Sequence, residues 1–248
     1  MTAVLELDFV EKIRSDGTRR FRLAITALTL AAGSRMALVG PSGCGKSTAI
    51  DLLALCSAPD RGRRFRLRTG DGTDVDVTAL WREKRSDELA RLRRRHFGYV
   101  VQTGGLLPFL SVRENVLLPQ RLAGRRDADR VAWLADRLGI ARLLDALPSR
   151  LSVGQRQRVA IARALAAAPD FILADEPTAA LDPSHAREAM GLLVELVQQS
   201  GAGLLLATHA ADLAVEFGVT LIEARSLEDG GRWTTIFHDG RTVSEAAP

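Results

Sequence analysis

The chain has 248 residues, 46% hydrophobic and 26% charged, enough to bury a substantial core and too ordinary in composition for a disordered or collagen-like polymer. Two cysteines, Cys44 and Cys56, exclude a disulfide framework, and no uncharged stretch has the length of a membrane span, residues 196–211 being broken by Gln198, Gln199, Ser200, Gly201 and Gly203. The net charge of +4 is unevenly placed, because Arg61, Arg63, Arg64, Arg66, Arg68 and the base-rich residues 81–95 hold the excess and leave the remainder net acidic.

From the start of the chain, Glu6, Asp8 and Glu11 occupy the region where a secretory leader would be basic, so a cytoplasmic, reducing setting is expected. Residues 4–9 and 21–30 read as strands, followed by an apolar strand at 36–39, a glycine-rich turn and a helix beginning near Lys46. A basic hairpin (64–68, then 75–77) precedes a charged helix over 78–95 and a strand at 97–101. Residues 111–167 then change to helical periodicity, with Val131, Leu134 and Leu138 on one face. Strand and helix alternate again afterwards: a strand at 171–174, a helix carrying Met190, Leu193, Val194 and Val197, and strands at 204–207 and 219–224. A C-terminal hairpin over 233–243 is expected to turn at Asp239-Gly240. The alternation predicts an α/β fold with a mainly parallel sheet.

Three segments carry chemistry. Gly40, Pro41, Ser42, Gly43, Cys44, Gly45, Lys46, Ser47 and Thr48 form G-x-x-x-x-G-K-[ST] between an apolar strand and a helix. Its glycines let backbone N–H groups face a polyphosphate, Lys46 reaches the β- and γ-phosphates, and Ser47 ligates Mg²⁺. Residues 171–177 are an apolar run ending in Asp175 and Glu176; buried carboxylates there need a cation or a proton-transfer role. Asp175 suits Mg²⁺ and Glu176 suits polarising an attacking water. Upstream, Leu151, Ser152, Val153, Gly154 and Gln155 open a helix and form a second anion-binding nest.

On these motifs the sequence resembles the nucleotide-binding cassette of ABC transporters, over about residues 4–224. The resemblance implies a P-loop NTPase core with an N-terminal antiparallel β subdomain. It also implies an inserted helical subdomain at about 103–167, with the core formed by 1–102 and 168–248 as one domain. It makes residues 40–48 the Walker A loop, Gln102 the Q-loop glutamine and a metal contact, and residues 151–155 the signature. Glu176 becomes the catalytic glutamate, Asp182 part of the D-loop and nucleotide contacts, and His209 the switch histidine. ATP and Mg²⁺ are the implied cofactors, and the implied activity is ATP hydrolysis in a dimer. The implied partners are a second cassette and a separate membrane permease, with no nucleic acid, at the cytoplasmic face of the inner membrane and bound to it only through the permease. The segment after Gln102 is most similar to the lipoprotein-releasing and macrolide-export group, with the cell-division cassette close by. A clamp that regulates a permease-like partner without transport is the alternative.

Three positions depart from the family pattern: Val153 stands where glycine is usual, Ala179 precedes Ala180 in place of the usual serine, and the expected adenine-stacking aromatic falls near Ile13 or Arg14. Arg14 or Phe21 is then expected to carry the base. The basic region 61–95 is expected to be a solvated surface or to face an acidic partner or lipid headgroups.

Overall fold

The computed structural model describes residues 2–15, 20–102, 104–229 and 232–240. At its centre is a parallel sheet in the order β6 (Phe97–Val100), β7 (Phe171–Asp175), β8 (Gly203–Thr208), β3 (Arg35–Val39) and β9 (Thr220–Glu223). Strands β7 and β8 are buried along their whole length. Both faces are covered, which explains why they read as unbroken apolar runs and not as alternating patterns. On one face Leu38, Leu173 and Leu205 pack with α1 (Lys46–Leu53) and with a second sheet. On the other, Ala37, Ile172, Leu204 and Leu206 pack with α6 (Val153–Ala166) and α7 (Pro183–Ser200).

The second sheet has six strands in the order β10 (Arg225–Asp229), β11 (Arg232–His238), β2 (Arg20–Ala31), β1 (Val4–Ser15), β4 (Arg61–Arg68) and β5 (Asp74–Asp76). Its pairings are antiparallel except for β11 on β2, which is parallel. Between β6 and β7 lie α4 (Val112–Ala123), α5 (Ala128–Arg137) and α6, the expected helical insertion. Helices α4 and α6 each start with a capping box, Ser111 with Glu114 and Ser152 with Gln155, satisfying N–H groups that a helix start leaves open. Helix α8 (Ala211–Glu216) connects β8 to β9.

One expectation is corrected. The single charged helix over 78–95 is two helices, α2 (Val77–Arg82) and α3 (Ser86–His96), because the chain turns sharply between them with Lys84 at φ 55°. The hairpin expected to turn at Asp239-Gly240 has its second strand, 241–243, outside the described residues. The paired strands are β10 and β11, whose connection at 230–231 lies outside the described residues, as do 241–248.

The basic strand is answered largely within its own sheet. Arg63 pairs with Asp8 at 2.6 Å, Arg64 with Glu6 at 3.2 Å and Arg66 with Asp74 at 2.7 Å. The side-chain hydrogen bond from Arg66, helped by its charge, holds the Asp74 carboxyl below its usual range. On α3, by contrast, Arg91, Arg94 and Arg95 have no ion-pair partner among the described residues.

Helix α6 sits so close to β6 that a Cβ on Gly98 would come within 2.2 Å of the Ala164 carbonyl oxygen and 2.6 Å of Ile172 Cδ1. Gly98→Ala is therefore expected to destabilise the protein by about 1–3 kcal/mol, the usual range for overpacking. Urea denaturation checks this, and an unchanged midpoint would contradict so tight a contact.

Candidate functional site

In an open parallel sheet, loops at the carboxyl ends of the strands form the ligand crevice. Here β3 runs into residues 40–48, β6 into Gln102, β7 into Asp175-Glu176 and β8 into Thr208-His209. The crevice holds a cavity of about 480 Å³ lined by Arg14, Phe21, Ser42, Gly43, Gly45, Lys46, Ser47, Thr48, Gln102 and Glu176, within the usual size range for a cofactor site.

The loop geometry follows from its sequence. Gly45 caps α1 at φ 97°, a left-handed conformation that glycine adopts without strain, and a Cβ there would lie 2.6 Å from Phe21 Cζ. The start of α1 thus turns its unpaired N–H groups into the cavity, and the helix end adds positive potential. Lys46 is buried, its Nζ donating to the carbonyls of Gly40 at 2.9 Å and Pro41 at 3.2 Å, with a Glu176 carboxylate oxygen 3.5 Å away. A phosphate arriving in the loop meets an ammonium already fixed in place.

Glu176 also has left-handed backbone, φ 47°, uncommon for a residue with a side chain, and its N–H is tied to the Ala207 carbonyl at 2.8 Å. Its Oε2 is 2.8 Å from His209 Nδ1 and accepts from the His209 N–H at 3.3 Å. Next to it, Asp175 is buried and its Oδ1 has no hydrogen-bond partner. Burial pushes this carboxyl up from its usual range, opposed by a hydrogen bond with the Ser47 hydroxyl and by the Lys46 charge. An orphaned, partly desolvated carboxylate oxygen beside a serine hydroxyl is the donor set a hard divalent cation takes. Among the described residues no group of three or more His, Cys, Asp or Glu could hold a metal, so such an ion would share its shell with nucleotide and water.

Of the expected site residues, the structure thus gathers the 40–48 loop, Gln102, Asp175, Glu176 and His209 in one crevice. Within the loop, Pro41 and Cys44 face a neighbouring recess, and Cys44 is buried. Of the two candidates for the aromatic position, Arg14 is the one that lines the cavity, directly across from Phe21 in the β1–β2 pairing.

The second nest is elsewhere. Val153 lines a separate cavity of about 210 Å³ with Arg156, Gln157, Pro177, Ala180 and Leu181, sharing only Gln102 with the first. The Ser152 hydroxyl accepts from the Gln155 N–H at 3.2 Å, and Gln155 Oε1 accepts from the Ser152 N–H at 2.9 Å. Asp182 caps α7, accepting from the N–H groups of Ser184 and His185 and lying 2.5 Å from His185 Nδ1. The Ser184 hydroxyl, donating to the Asp182 carboxylate at 2.7 Å, and then the His185 ring and N–H hold that carboxyl well below the usual range. Sequence reasoning missed Trp233, which β11 places directly beside Phe21 at the edge of the loop. No motif in the C-terminal segment signals it.

Comparison with known proteins decides the family, since the family model described as ABC transporter matches residues 23–179. The chain belongs to the ABC transporter family. As a cassette of that family it is an ATPase that binds ATP. It is 42% identical over 214 residues to the lipoprotein-releasing system ATP-binding protein LolD of Paramagnetospirillum magneticum, covering 85% of this chain and 90% of that one. It is also 42% identical over 210 residues to the macrolide export ATP-binding/permease protein MacB 2 of Aeromonas hydrophila subsp. hydrophila, and there spans only 31% of the longer relative. The bacterial ABC transporter cassette MJ0796, solved as a dimer, superposes with a TM-score of 0.74 at 32% identity, covering 88% of this chain and 93% of that one. A dimeric post-hydrolysis state of MJ0796 with ADP and Pi gives 0.75.

Proposed function

We propose that this ATPase cassette closes as a dimer around two ATP molecules and drives a separate membrane permease, in export or in lipid or lipoprotein release. The observation that carries the reading is the separation of the two phosphate-binding helix starts. Ser152 and Gly154 line no part of their own chain's nucleotide cavity, so a second chain has to bring them to the γ-phosphate. The likeness to LolD and MacB supports the transport role, and the dimeric MJ0796 structures support the assembly.

In the closed dimer Lys46 and the loop N–H groups hold the β- and γ-phosphates. Glu176, released from Lys46 by the incoming phosphate, orients and polarises the attacking water, and His209 holds the Glu176 carboxylate in position. Ser47, Asp175 and Gln102 would hold Mg²⁺, which when bound neutralises phosphate charge. Asp182, one residue beyond Leu181 of the second cavity, supports the nest of the same chain by fixing the start of α7. Loss of the γ-phosphate removes the charge-assisted bonds between the halves, and the opening motion passes to the permease.

No described helix is long and apolar enough to cross a membrane, in keeping with peripheral attachment at the cytoplasmic face of the inner membrane. The unpaired arginines of α3 supply a surface for an acidic partner. Purification of the tagged chain from solubilised membranes is expected to bring down a membrane protein of four or more spans. Raising salt should weaken that association, since exposed charges are screened beyond about 10 Å at 0.1 M. Recovery of soluble proteins alone would count against the permease.

With no aromatic at the usual position, base affinity falls to Arg14 and Phe21. Truncating a stacking side chain costs roughly 1–3 kcal/mol in nucleic-acid binders. Arg14→Ala or Phe21→Ala is therefore expected to weaken ATP about tenfold, and the unmutated chain to bind ATP and GTP similarly. Titration of both nucleotides checks this; a strong ATP preference would mean that other side chains read the base.

A further inference from the structure

The C-terminal hairpin builds a second recess against the phosphate loop. Along β11, Trp233, Thr235 and Phe237 point to the inner face of the sheet. Phe237 and Thr235 are buried, whereas Trp233, at the strand end, is 45% exposed although it faces inward. It stands across from Phe21 in the β11–β2 pairing. With Pro41, Ser42, Gly43, Cys44, Ser226 and Thr235, these two aromatics line a mainly apolar recess of about 260 Å³. Phe21, Ser42 and Gly43 also line the nucleotide cavity, so recess and cavity adjoin.

A matching apolar group lies at the second nest. Val153 is 44% exposed at the first position of α6, between Ser152 and Gly154. Wherever that nest docks, Val153 goes with it, because neighbouring Cα atoms are only about 3.8 Å apart. An exposed valine carried onto a phosphate site is unfavourable unless an apolar surface receives it.

We propose that the recess between Phe21 and Trp233 is the docking surface for Val153 of a second copy of this chain. The hairpin then becomes part of the dimer interface, and the valine at the usual glycine position is matched in the partner by Trp233. This rests on the dimer reading above and adds to it a contact between two residues that no motif links.

The test mixes two single-cysteine chains, one Val153→Cys and one Trp233→Cys, each carrying Glu176→Gln, Cys44→Ala and Cys56→Ser so that both native thiols, including the one lining the recess, are absent. Only a contact between chains can join them. With ATP and Mg²⁺, a short bis-maleimide is expected to give a cross-linked Val153→Cys/Trp233→Cys heterodimer, and without nucleotide essentially none. Trp233→Ala in the Glu176→Gln background should weaken ATP-driven dimerisation about tenfold, and Trp233→Phe should restore most of it. Light scattering on the same mixtures separates the failures. A dimer that forms without cross-linking, and whose affinity Trp233→Ala leaves unchanged, overturns this contact and leaves the dimer standing; absence of the dimer overturns both.

Discussion

Glu176→Gln is expected to lower ATP turnover by about a hundredfold or more while leaving nucleotide binding intact, since general-base contributions run to roughly 10²–10⁴. The amide is nearly isosteric with the carboxylate, so the φ 47° backbone and the N–H bond to Ala207 are retained. What is lost is the negative charge that faces Lys46 at 3.5 Å and His209 at 2.8 Å. Without it the water is neither oriented nor polarised, while loop, lysine and cation site still hold the nucleotide. Phosphate release and binding of a fluorescent ATP analogue, measured side by side, check the split. Retained turnover would move the water-activating role to another residue; lost binding would make Glu176 structural.

Lys46→Ala should have the opposite signature. The ammonium is buried and held by two carbonyls, which fixes it before a phosphate arrives. Charge-assisted bonds to phosphate are worth roughly twice neutral ones. Its removal also leaves Glu176 facing the incoming phosphates without a counter-charge. Nucleotide affinity is expected to fall by well over about tenfold, and ATP should no longer assemble the chain. Isothermal titration with ATP measures the loss, and affinity equal to that of the unmutated chain would mean that the loop N–H groups alone hold the phosphates.

The nucleotide face was legible in the sequence because its chemistry is local. Residues 36–48 and 171–176 each carry strand, turn and polar group in consecutive positions, and each folds as read. The helical insertion was legible from its period, though its tight packing on β6 through Gly98 was not. The charged helix was read as one because nothing around Glu83–Arg85 breaks helical propensity; the turn at Lys84 is imposed by packing of Leu80 and Leu89 into the same core. The place of β11 in the sheet was not legible, because its pairing with β2 joins residues more than two hundred positions apart. Non-local pairing of that kind leaves no periodic trace. The basic strand, expected to be either a solvated surface or a face for an acidic partner or lipid headgroups, has Arg63, Arg64 and Arg66 set by the register beside Asp8, Glu6 and Asp74.

Light scattering of the Glu176→Gln chain tests the central claim most directly, because one nucleotide loop and one signature nest per chain require two chains for a complete site. With ATP and Mg²⁺ the particle mass is expected to double from 26.9 kDa, and to return to the monomer value when ATP is removed or when Lys46→Ala is added. A chain that binds ATP and stays monomeric at high concentration would contradict the account.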